Sequence, residues 1–255
     1  MGALHAGHMS LVESARKQNT RVVVSVFVNP IQFGPNEDLA RYPSSPVHDL
    51  ELLRAAEVDA IYMPAAATMY PKDASTRVTV HRVSEPLEGA ARPGHFEGVA
   101  TVVDKLFNAV QPDRAYFGQK DAQQVAVVKR LAADLDTGVE IRACPTVREP
   151  DGVALSSRNA YLDAAQRQAA TCLSRALRLA ADAYGRGERD PARLRAALLE
   201  VIEAESLARV DYAEVVDPET FSAPGTLAVL AVWIGKTRLI DNHDLSRPIL
   251  DSAQF

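Results

Sequence analysis

The chain has 255 residues, of which 47% are hydrophobic and 24% are charged, so it is long enough for one large globular domain or two smaller ones. The formal net charge is −5 and no basic run occurs, which argues against non-specific binding to nucleic acid. No apolar stretch approaches the roughly 18 residues of a membrane-spanning helix, and we expect no signal peptide. Cys144 and Cys172 lack the spacing of metal ligands, and we interpret them as reduced core thiols of a soluble, cytoplasmic protein.

The first portion of the chain alternates predicted helices and strands, beginning with a helix directly after residue 8. The apolar run at 21–28 predicts a strand buried on both faces, and Ser45 is expected to cap a helix that has Pro46 in its first turn. In chain order there follow strands at 59–63 and 76–83, a helix at 96–110, a strand at 113–117, a helix at about 121–135 and a strand at 140–144. This alternation predicts an α/β fold with a Rossmann-like, doubly wound parallel sheet.

The pattern changes after about residue 144. We predict a helix at 163–184 and a second helix from Pro191, with Asp190 as N-cap and an apolar face through Leu194, Leu198 and Ile202. Strands at 210–216, 227–234 and 237–240 follow. The expected organisation is a first domain at 1–146 and a smaller α+β domain at 147–255.

His5 and His8 lie three residues apart where a loop becomes the first helix. Free N–H groups and the helix dipole attract phosphate at such a place, and the two side chains share a face of the helix. The alternatives are a terminal tail with two stray histidines, or a pair of metal ligands that lacks an evident third member. A phosphate loop of this kind normally follows a strand, and since none precedes Met1 we expect that strand to be missing from the chain or replaced by another element.

Gln32 follows the strand predicted at 21–28, at the strand end where open α/β sheets bind ligands. Its amide can donate and accept, which suits a hydroxy acid, and the alternative is an ordinary turn of Asn, Pro and Gly. Arg92 precedes the helix predicted at 96–110. Its planar fork can hold a carboxylate or a phosphate, and the alternative is a solvated arginine at a helix start.

Lys120 and Asp121 lie at a strand-to-helix turn, where the lysine can donate to phosphate oxygens and the aspartate can accept from ribose hydroxyls. The alternative is an exposed Lys120 beside an Asp121 that caps the helix, and one carboxylate can serve as both cap and ligand. Gln124 follows in the first helical turn and is expected to point towards the same region.

Two hydroxyls and a guanidinium in succession, at Ser156, Ser157 and Arg158, suit a polyphosphate, although a polar loop is the alternative. Together with the histidines and Lys120, this set predicts a nucleoside triphosphate. The sequence has no P-loop, no Gly-x-Ser-x-Gly elbow and no reactive cysteine motif. We therefore expect direct attack on a phosphate, with catalysis by positioning and charge stabilisation.

These motifs resemble those of the pantoate–β-alanine ligase (pantothenate synthetase) family over nearly the whole chain. The matching segments are MGALHAGH at 1–8, VFVNPIQFGPNEDLARYP at 26–43, RPGHFEGV at 92–99, FGQKD at 117–121 with Gln124, LSSRNAYL at 155–162 and KTRLIDN at 236–242. The family belongs to the nucleotidyltransferases that share a His-x-Gly-His signature with class I aminoacyl-tRNA synthetases. Family members carry a further N-terminal segment with a first strand, so the resemblance implies that this strand is missing here.

The resemblance implies that pantoate and Mg²⁺-ATP give pantoyl adenylate and pyrophosphate, after which β-alanine attacks to give pantothenate and AMP. It implies a homodimer with no tightly bound organic cofactor, no nucleic-acid or membrane partner, and a C-terminal domain that closes over the ATP site. It does not identify metal ligands. Two rival interpretations are another nucleotidyltransferase, such as a nucleotide adenylyltransferase, and an inactive protein that keeps the nucleotide pocket.

The residue roles that the resemblance implies fall into three groups. His8 fits the proton donor and His5 its phosphate-contacting partner, with Lys120 and Arg158 completing the catalytic set. Gln32 and Gln124 fit the pantoate amides, and Arg92 is expected to bind pantoate or β-alanine. The implied ATP site consists of Met1, Gly2, Ala3, Leu4, His5, Ala6, Gly7, His8, Gly118, Gln119, Lys120, Asp121, Val147, Leu155, Ser156, Ser157 and Arg158.

Overall fold

The structure is a computed structural model, and it describes residues 2–35 and 37–248. The chain divides into two compact units. Unit 1 consists of the residues up to Gly118 together with Gln123–Cys144, and unit 2 consists of Gln119–Ala122 together with the residues from Pro145 onwards. The short turn at Gln119–Ala122 therefore belongs to unit 2, although the residues on either side of it belong to unit 1.

Unit 1 is built from parallel strand pairs and the helices that connect them. Its helices are α1 (Ala6–Gln18), α2 (Pro46–Ala55), α3 (Ala66–Met69), α4 (Glu88–Ala91), α5 (His95–Val110) and α6 (Ala122–Asp134), and its strands are β1 (Val23–Ser25), β2 (Ala60–Tyr62), β3 (Arg114–Gly118) and β4 (Glu140–Cys144). β1 pairs in parallel with β2, and β3 pairs in parallel with β4. Within residues 2–35 and 37–248 these pairs form two separate two-stranded ladders. Parallel pairing across helical connections agrees with the predicted α/β class.

The core around β1 also buries the loop that precedes α1. Its buried members are Leu4, Val12, Ala15, Val22, Val24, Val26 and Leu53. Leu4 is only 5% exposed, so the segment before α1 is packed into the fold. The interpretation of the first residues as a loose terminal tail is therefore wrong.

Two predictions about local structure in unit 1 were wrong, and a third was confirmed only in part. The run at 21–28 is not buried on both faces, because Val23 is 43% exposed while Val22 and Val24 are buried. An unbroken apolar run does not reveal that only one face of the strand is covered by packed side chains. Residues 76–83 form no strand, since the backbone N–H of Val78 donates to Thr101 Oγ1 on α5 rather than to a strand carbonyl. The third prediction is confirmed in position, since Ser45 is the N-cap residue of α2 and Pro46 lies in its first turn, but the Ser45 side chain makes no cap hydrogen bond.

Unit 2 packs two helices on an antiparallel sheet. The helices are α7 (Ala164–Gly185) and α8 (Pro191–Glu203), and the strands are β5 (Ala208–Val216), β6 (Leu227–Ile234) and β7 (Thr237–Asp244), in the order β5-β6-β7. Asp190 caps α8 by accepting from the backbone N–H of Ala192 at 2.9 Å. The predicted apolar face of α8 is confirmed, because Leu194, Leu198 and Ile202 are all fully buried.

β7 extends to Asp244, beyond the predicted end at residue 240. The additional residues include Asp241 and Asn242, which are 3% and 6% exposed. Polar residues such as these hide a buried strand from a hydrophobicity pattern. Both cysteines are free and buried, as predicted. Within the described residues, none of the helices has the length and apolar character needed to cross a membrane.

Candidate active site

The turn that leads into α1 brings the two histidines of the N-terminal motif together. His5 is the N-cap residue, and its ring centroid lies 4.0 Å from that of His8. The backbone N–H of His5 donates to His8 Nδ1 at 3.3 Å. Because a backbone N–H can only donate, Nδ1 is an acceptor and a neutral His8 ring carries its proton on Nε2. His8 therefore has an N–H donor on the ring nitrogen that does not face the His5 backbone.

The electrostatics of α1 favour an anion at its start. The first turn contains no acidic residue, whereas the last turn contains Arg16 and Lys17. No carboxylate in the first turn therefore neutralises the positive end of the helix dipole. Of the other residues assigned to this part of the ATP site, Gly2 and Leu4 are buried, Ala3 and Gly7 are partly buried, and Ala6 is exposed. Met1 lies outside the described residues.

A buried carboxylate fixes the loop before this turn. Asp49, on α2, is 2% exposed. Its Oδ2 accepts from the backbone N–H of Ala3 at 3.0 Å, and its Oδ1 accepts from that of Leu4 at 2.7 Å. Helix α2 thus determines the backbone path into His5. Sequence reasoning missed Asp49, because nothing in the local pattern distinguishes it from a surface residue of α2.

The Gln32 side chain is held by a buried asparagine. Asn29 is 3% exposed, and its Nδ2 donates to Gln32 Oε1 at 3.1 Å and to the Gly98 carbonyl at 3.0 Å. The Tyr70 hydroxyl donates to Asn29 Oδ1 at 2.8 Å, and burial raises the pKa of Tyr70 to about 12, so the hydroxyl keeps its proton. The Gln32 Nε2 group has no partner among the described residues. Gln32 therefore retains donor capacity for a ligand.

A neutral histidine supports the Gln32 backbone. His95 is 8% exposed, and burial, followed by the positive charge of Arg92, lowers the pKa of His95 to about 4. Arg92 Nη1 lies 3.0 Å from His95 Nε2 and can only donate, so His95 donates from Nδ1 to the Gln32 carbonyl at 3.0 Å. Helix α5 also approaches closely here, because a Cβ on Gly98 would lie 2.6 Å from Gln32 Cα.

Arg92 already has a carboxylate in its fork. Its Nε and Nη2 donate to the two carboxylate oxygens of Glu37, each at 2.8 Å, and its side chain is 16% exposed. The alternative of a solvated arginine at a helix start is therefore wrong. The expected contact of Arg92 with pantoate or β-alanine meets competition from Glu37, because a guanidinium fork that holds one carboxylate bidentately has few donors left for another.

The two adjacent glutamines at the start of α6 have different surroundings. Gln123 is 3% exposed, accepts from the backbone N–H of Glu88 at 3.1 Å and donates to the carbonyls of Val83 and Pro86 at 2.9 and 2.8 Å. Gln124 is partly exposed and makes none of these structural contacts. The sequence assigned the ligand role to Gln124, and the full engagement of Gln123 is consistent with that choice.

The predicted contacts Lys120 and Asp121 lie on a short turn of unit 2. Gln119–Asp121 form a short 3-10 turn directly after Gly118, the last residue of β3. The Lys120 side chain is 20% exposed, and its Nζ lies 3.8 Å from Asp121 Oδ1. The exposed-lysine alternative is therefore wrong. The expected cap is also wrong, because no backbone N–H of the described residues donates to the Asp121 carboxylate.

The other predicted ATP contacts of unit 2 lie on one hairpin. The backbone N–H of Leu155 donates to the Val147 carbonyl at 2.9 Å, which places these two predicted residues side by side. The hairpin continues into Ser156, whose Oγ accepts from the backbone N–H of Arg158 at 3.2 Å and caps the turn that begins at Ser157. Leu155, Ser156, Ser157 and Arg158 are consecutive in sequence, whereas Val147 is not. Its hydrogen bond with Leu155 is what places Val147 beside this segment.

The described residues contain no cluster of three or more His, Cys, Asp or Glu side chains that could hold a metal ion. The histidine pair therefore has no third ligand in this part of the chain.

Comparison with known proteins decides the family. A family model described as pantoate-beta-alanine ligase matches residues 1–244. The chain belongs to the pantoate–β-alanine ligase family. It is 56% identical over 248 residues to the pantothenate synthetase of Chloroflexus aurantiacus, covering 95% of this chain and 88% of that protein, and 53% identical to that of Herpetosiphon aurantiacus, covering 95% and 90%.

Solved structures of the pantoate–β-alanine ligase family have the same fold. A crystal structure from Thermus thermophilus superposes with a TM-score of 0.93 at 47% identity, covering 96% of this chain and 91% of that one. The Francisella tularensis enzyme, complexed with β-γ ATP and β-alanine, gives a TM-score of 0.80 at 34% identity, with 97% and 88% covered. The predicted family, ligase class and α/β fold are confirmed.

Several polar residues around the ligase motifs were not assigned by the sequence. Asp49, Glu37 and His95 support the groups of unit 1, and Asp241 and Asn242 belong to unit 2. The last two lie within the matched segment KTRLIDN, which had received no role. The match of KTRLIDN to the family was the only feature of the sequence that could have pointed to Asp241 and Asn242.

Proposed function

We propose that this ligase condenses pantoate with β-alanine at the expense of ATP, through a pantoyl adenylate. In the first step a pantoate carboxylate oxygen attacks the α-phosphorus of ATP, the bond to the bridging oxygen breaks, and pyrophosphate leaves. In the second step the β-alanine amine attacks the acyl carbon, loses a proton, and AMP leaves with the bonding electron pair. Each step balances without a redox partner or a covalent enzyme intermediate.

The observation that carries this proposal is the His5–His8 turn at the start of α1. Its ring contact and the acceptor role of His8 Nδ1 leave His8 Nε2–H as a donor at a helix N-terminus. Negative charge increases on the α-phosphate oxygens as the carboxylate attacks. A preorganised donor and the helix dipole stabilise that charge more in the transition state than in the ground state.

We assign the remaining nucleotide contacts by the type of donor that each residue offers. Lys120 and Arg158 contact the phosphates as cations, and Ser156 and Ser157 contact them as hydroxyl donors. Asp121 accepts from the ribose hydroxyls. The other assigned ATP contacts are Met1, Gly2, Ala3, Leu4, Ala6, Gly7, Gly118, Gln119, Val147 and Leu155.

Gln32 and Gln124 bind pantoate in this proposal. An amide can donate to the carboxylate and accept from a hydroxyl, so two amides can orient a dihydroxy acid for in-line attack. For Arg92 we prefer a positioning role, because its fork is engaged by Glu37 and its Nη1 reaches the histidine that supports Gln32.

We treat Mg²⁺ as part of the substrate. Since the described residues offer no protein cage for a metal, the ion would be carried on the triphosphate oxygens and water. The ranges 1–146 and 147–255 as nucleotide-binding and C-terminal domains, the homodimer and the cytoplasmic location stay predictions.

The experiment is a pyrophosphate-release assay with pantoate and ATP, with and without β-alanine. Without β-alanine we expect a burst of roughly one pyrophosphate per site, because the adenylate forms before the amine is needed. With β-alanine, turnover should continue and pantothenate should accumulate. A strict requirement for β-alanine before any pyrophosphate appears would contradict the adenylate, and a lack of turnover with all three substrates would favour an inactive nucleotide-binding protein.

A further inference from the structure

Asn242 connects β7 to the turn that contains Lys120. Its Nδ2 donates to the carbonyls of Gln119 and Lys120, each at 2.9 Å, and the residue is 6% exposed. Both amide hydrogens are thereby used on two consecutive carbonyls. The two carbonyls belong to the two peptide planes that flank Lys120 Cα, so holding both planes fixes the direction in which the Lys120 side chain leaves the backbone.

Asp241 connects the same strand to the hairpin that leads into the Ser-Ser-Arg turn. Its carboxylate accepts from Arg148 Nη1 at 2.6 Å and from Nη2 at 2.9 Å. Arg148 pairs with Ala154 in an antiparallel bridge, and its Nη1 also donates to the Gly152 carbonyl at 3.1 Å. The Asp241 carboxylate also accepts from the backbone N–H of Asn242 at 2.8 Å, so it fixes the backbone that carries the Asn242 side chain.

Burying the Asn242 amide in a strand costs stability unless its N–H donors make hydrogen bonds that the protein needs. Its Oδ1 is buried and has no hydrogen-bond partner among the described residues. A buried acceptor without a partner destabilises the fold. The contribution of this side chain therefore lies in the two hydrogen bonds that it donates to the Lys120 turn.

We infer that Asp241 and Asn242 are positioning residues that hold the Lys120 turn and the Ser-Ser-Arg hairpin in one fixed arrangement for the ATP phosphates. This inference rests on the proposed contact of Lys120 with ATP. It gives a role to the Ile-Asp-Asn end of the KTRLIDN segment. Neither residue needs to touch ATP, since each acts through a group that does.

The test uses Asn242→Asp in the full chain, which keeps the size of the side chain but replaces the donor by an oxygen that repels both carbonyls. We expect the KM for ATP to rise about tenfold, the lower end of the effect typical of residues that orient a contacting group. The KM for pantoate should stay within about twofold. Val232→Ala, in the core of β6, is the matched control, because it lowers Tm without touching the turn. Asn242→Ala is the second variant, because it removes both donors without placing a buried charge next to the two carbonyls.

A double-mutant cycle with Lys120→Ala tests whether Asn242 acts through the lysine. In the Lys120→Ala background, Asn242→Ala should have almost no further effect on the KM for ATP. Effects that multiply would overturn the inference, as would an Asn242 variant that lowers Tm like Val232→Ala with an unchanged KM for ATP. If Lys120→Ala itself leaves the KM for ATP unchanged, both the proposed contact of Lys120 with the phosphates and this inference are wrong. Pantothenate formation by the wild-type chain would still stand in each of these cases.

Discussion

Leu4 and Asp49 are joined by a 2.7 Å hydrogen bond from the backbone N–H of Leu4 to Asp49 Oδ1, across 45 positions of sequence. The second carboxylate oxygen accepts from the neighbouring N–H of Ala3. Helix α2 therefore supports the backbone that presents His5 and His8, and this turn depends on a residue far from it in sequence.

Asp49→Asn should weaken this support. One carboxylate oxygen becomes an NH₂ group that faces a backbone N–H, so one buried donor loses its acceptor. We expect the free energy of unfolding to fall by about 1–3 kcal/mol and the KM for ATP to rise. Urea unfolding and initial rates check this, with Glu51→Gln on the exposed side of α2 as control. Equal stability and activity of the two variants would show that the contact is dispensable.

His8→Ala should reduce the rate of adenylate formation by about 10²–10³-fold, the usual effect of removing one donor that stabilises developing charge. ATP affinity should change much less, because the donor acts mainly in the transition state. Single-turnover pyrophosphate release measures the rate. His81→Ala is a matched control, because the His81 side chain is 78% exposed. Near-normal turnover by His8→Ala would rule out the proposed role.

Glu37→Gln and Arg92→Lys separate a positioning role from a substrate contact at Arg92. If Arg92 acts through His95 and Gln32, both variants should raise the KM for pantoate by similar factors, about five- to tenfold. If Arg92 binds the substrate directly, Arg92→Lys should be far more damaging than Glu37→Gln, which would contradict the positioning role. Steady-state kinetics with varied pantoate at saturating ATP decide between the two.

Acid should destabilise this protein through His95. Burial, and then the charge of Arg92, lower the pKa of His95 from 6.5 to about 4, so the unfolded chain binds the proton more readily than the folded one. The stability that this difference contributes is fully present above about pH 6.5 and is lost as the pH falls towards about 4. Between pH 7.5 and 5 the loss should be about 2 kcal/mol.

The measurement compares urea unfolding of the wild type and His95→Asn at the two pH values. His95→Asn keeps a donor near the Gln32 carbonyl but does not titrate, so it should show a smaller decrease at low pH. Identical pH dependence of the two proteins would mean that His95 is not the responsible group.

Lys120→Ala and Arg158→Ala should each weaken ATP use while the KM for pantoate stays roughly constant. Arg158→Lys should restore activity only in part, because it keeps the charge but loses the planar fork. Lys129→Ala, an exposed lysine on α6, is the control for a lost positive charge. Normal ATP kinetics in both alanine variants would refute the phosphate assignment.

The sequence by itself determined most of the helices and strands of this protein. The start of α8 is set by Asp190 and Pro191, and its buried face by Leu194, Leu198 and Ile202, because caps and helical periodicity involve residues only a few positions apart. The bounds of strand β4 were also predicted correctly, since the structure places it at residues 140–144. The functional motifs were also local, since each is a short segment at an expected turn.

Only the tertiary structure decided which polar side chains support those motifs. Asp49 reaches Leu4, His95 reaches the Gln32 carbonyl, and Asn242 reaches the Lys120 turn, in each case from an element distant in sequence. The exposure of Val23 and the helix contact of Val78 were hidden for the same reason. A local pattern reports how a residue relates to its neighbours along the chain, whereas its burial and hydrogen-bond partners depend on which distant elements pack against it.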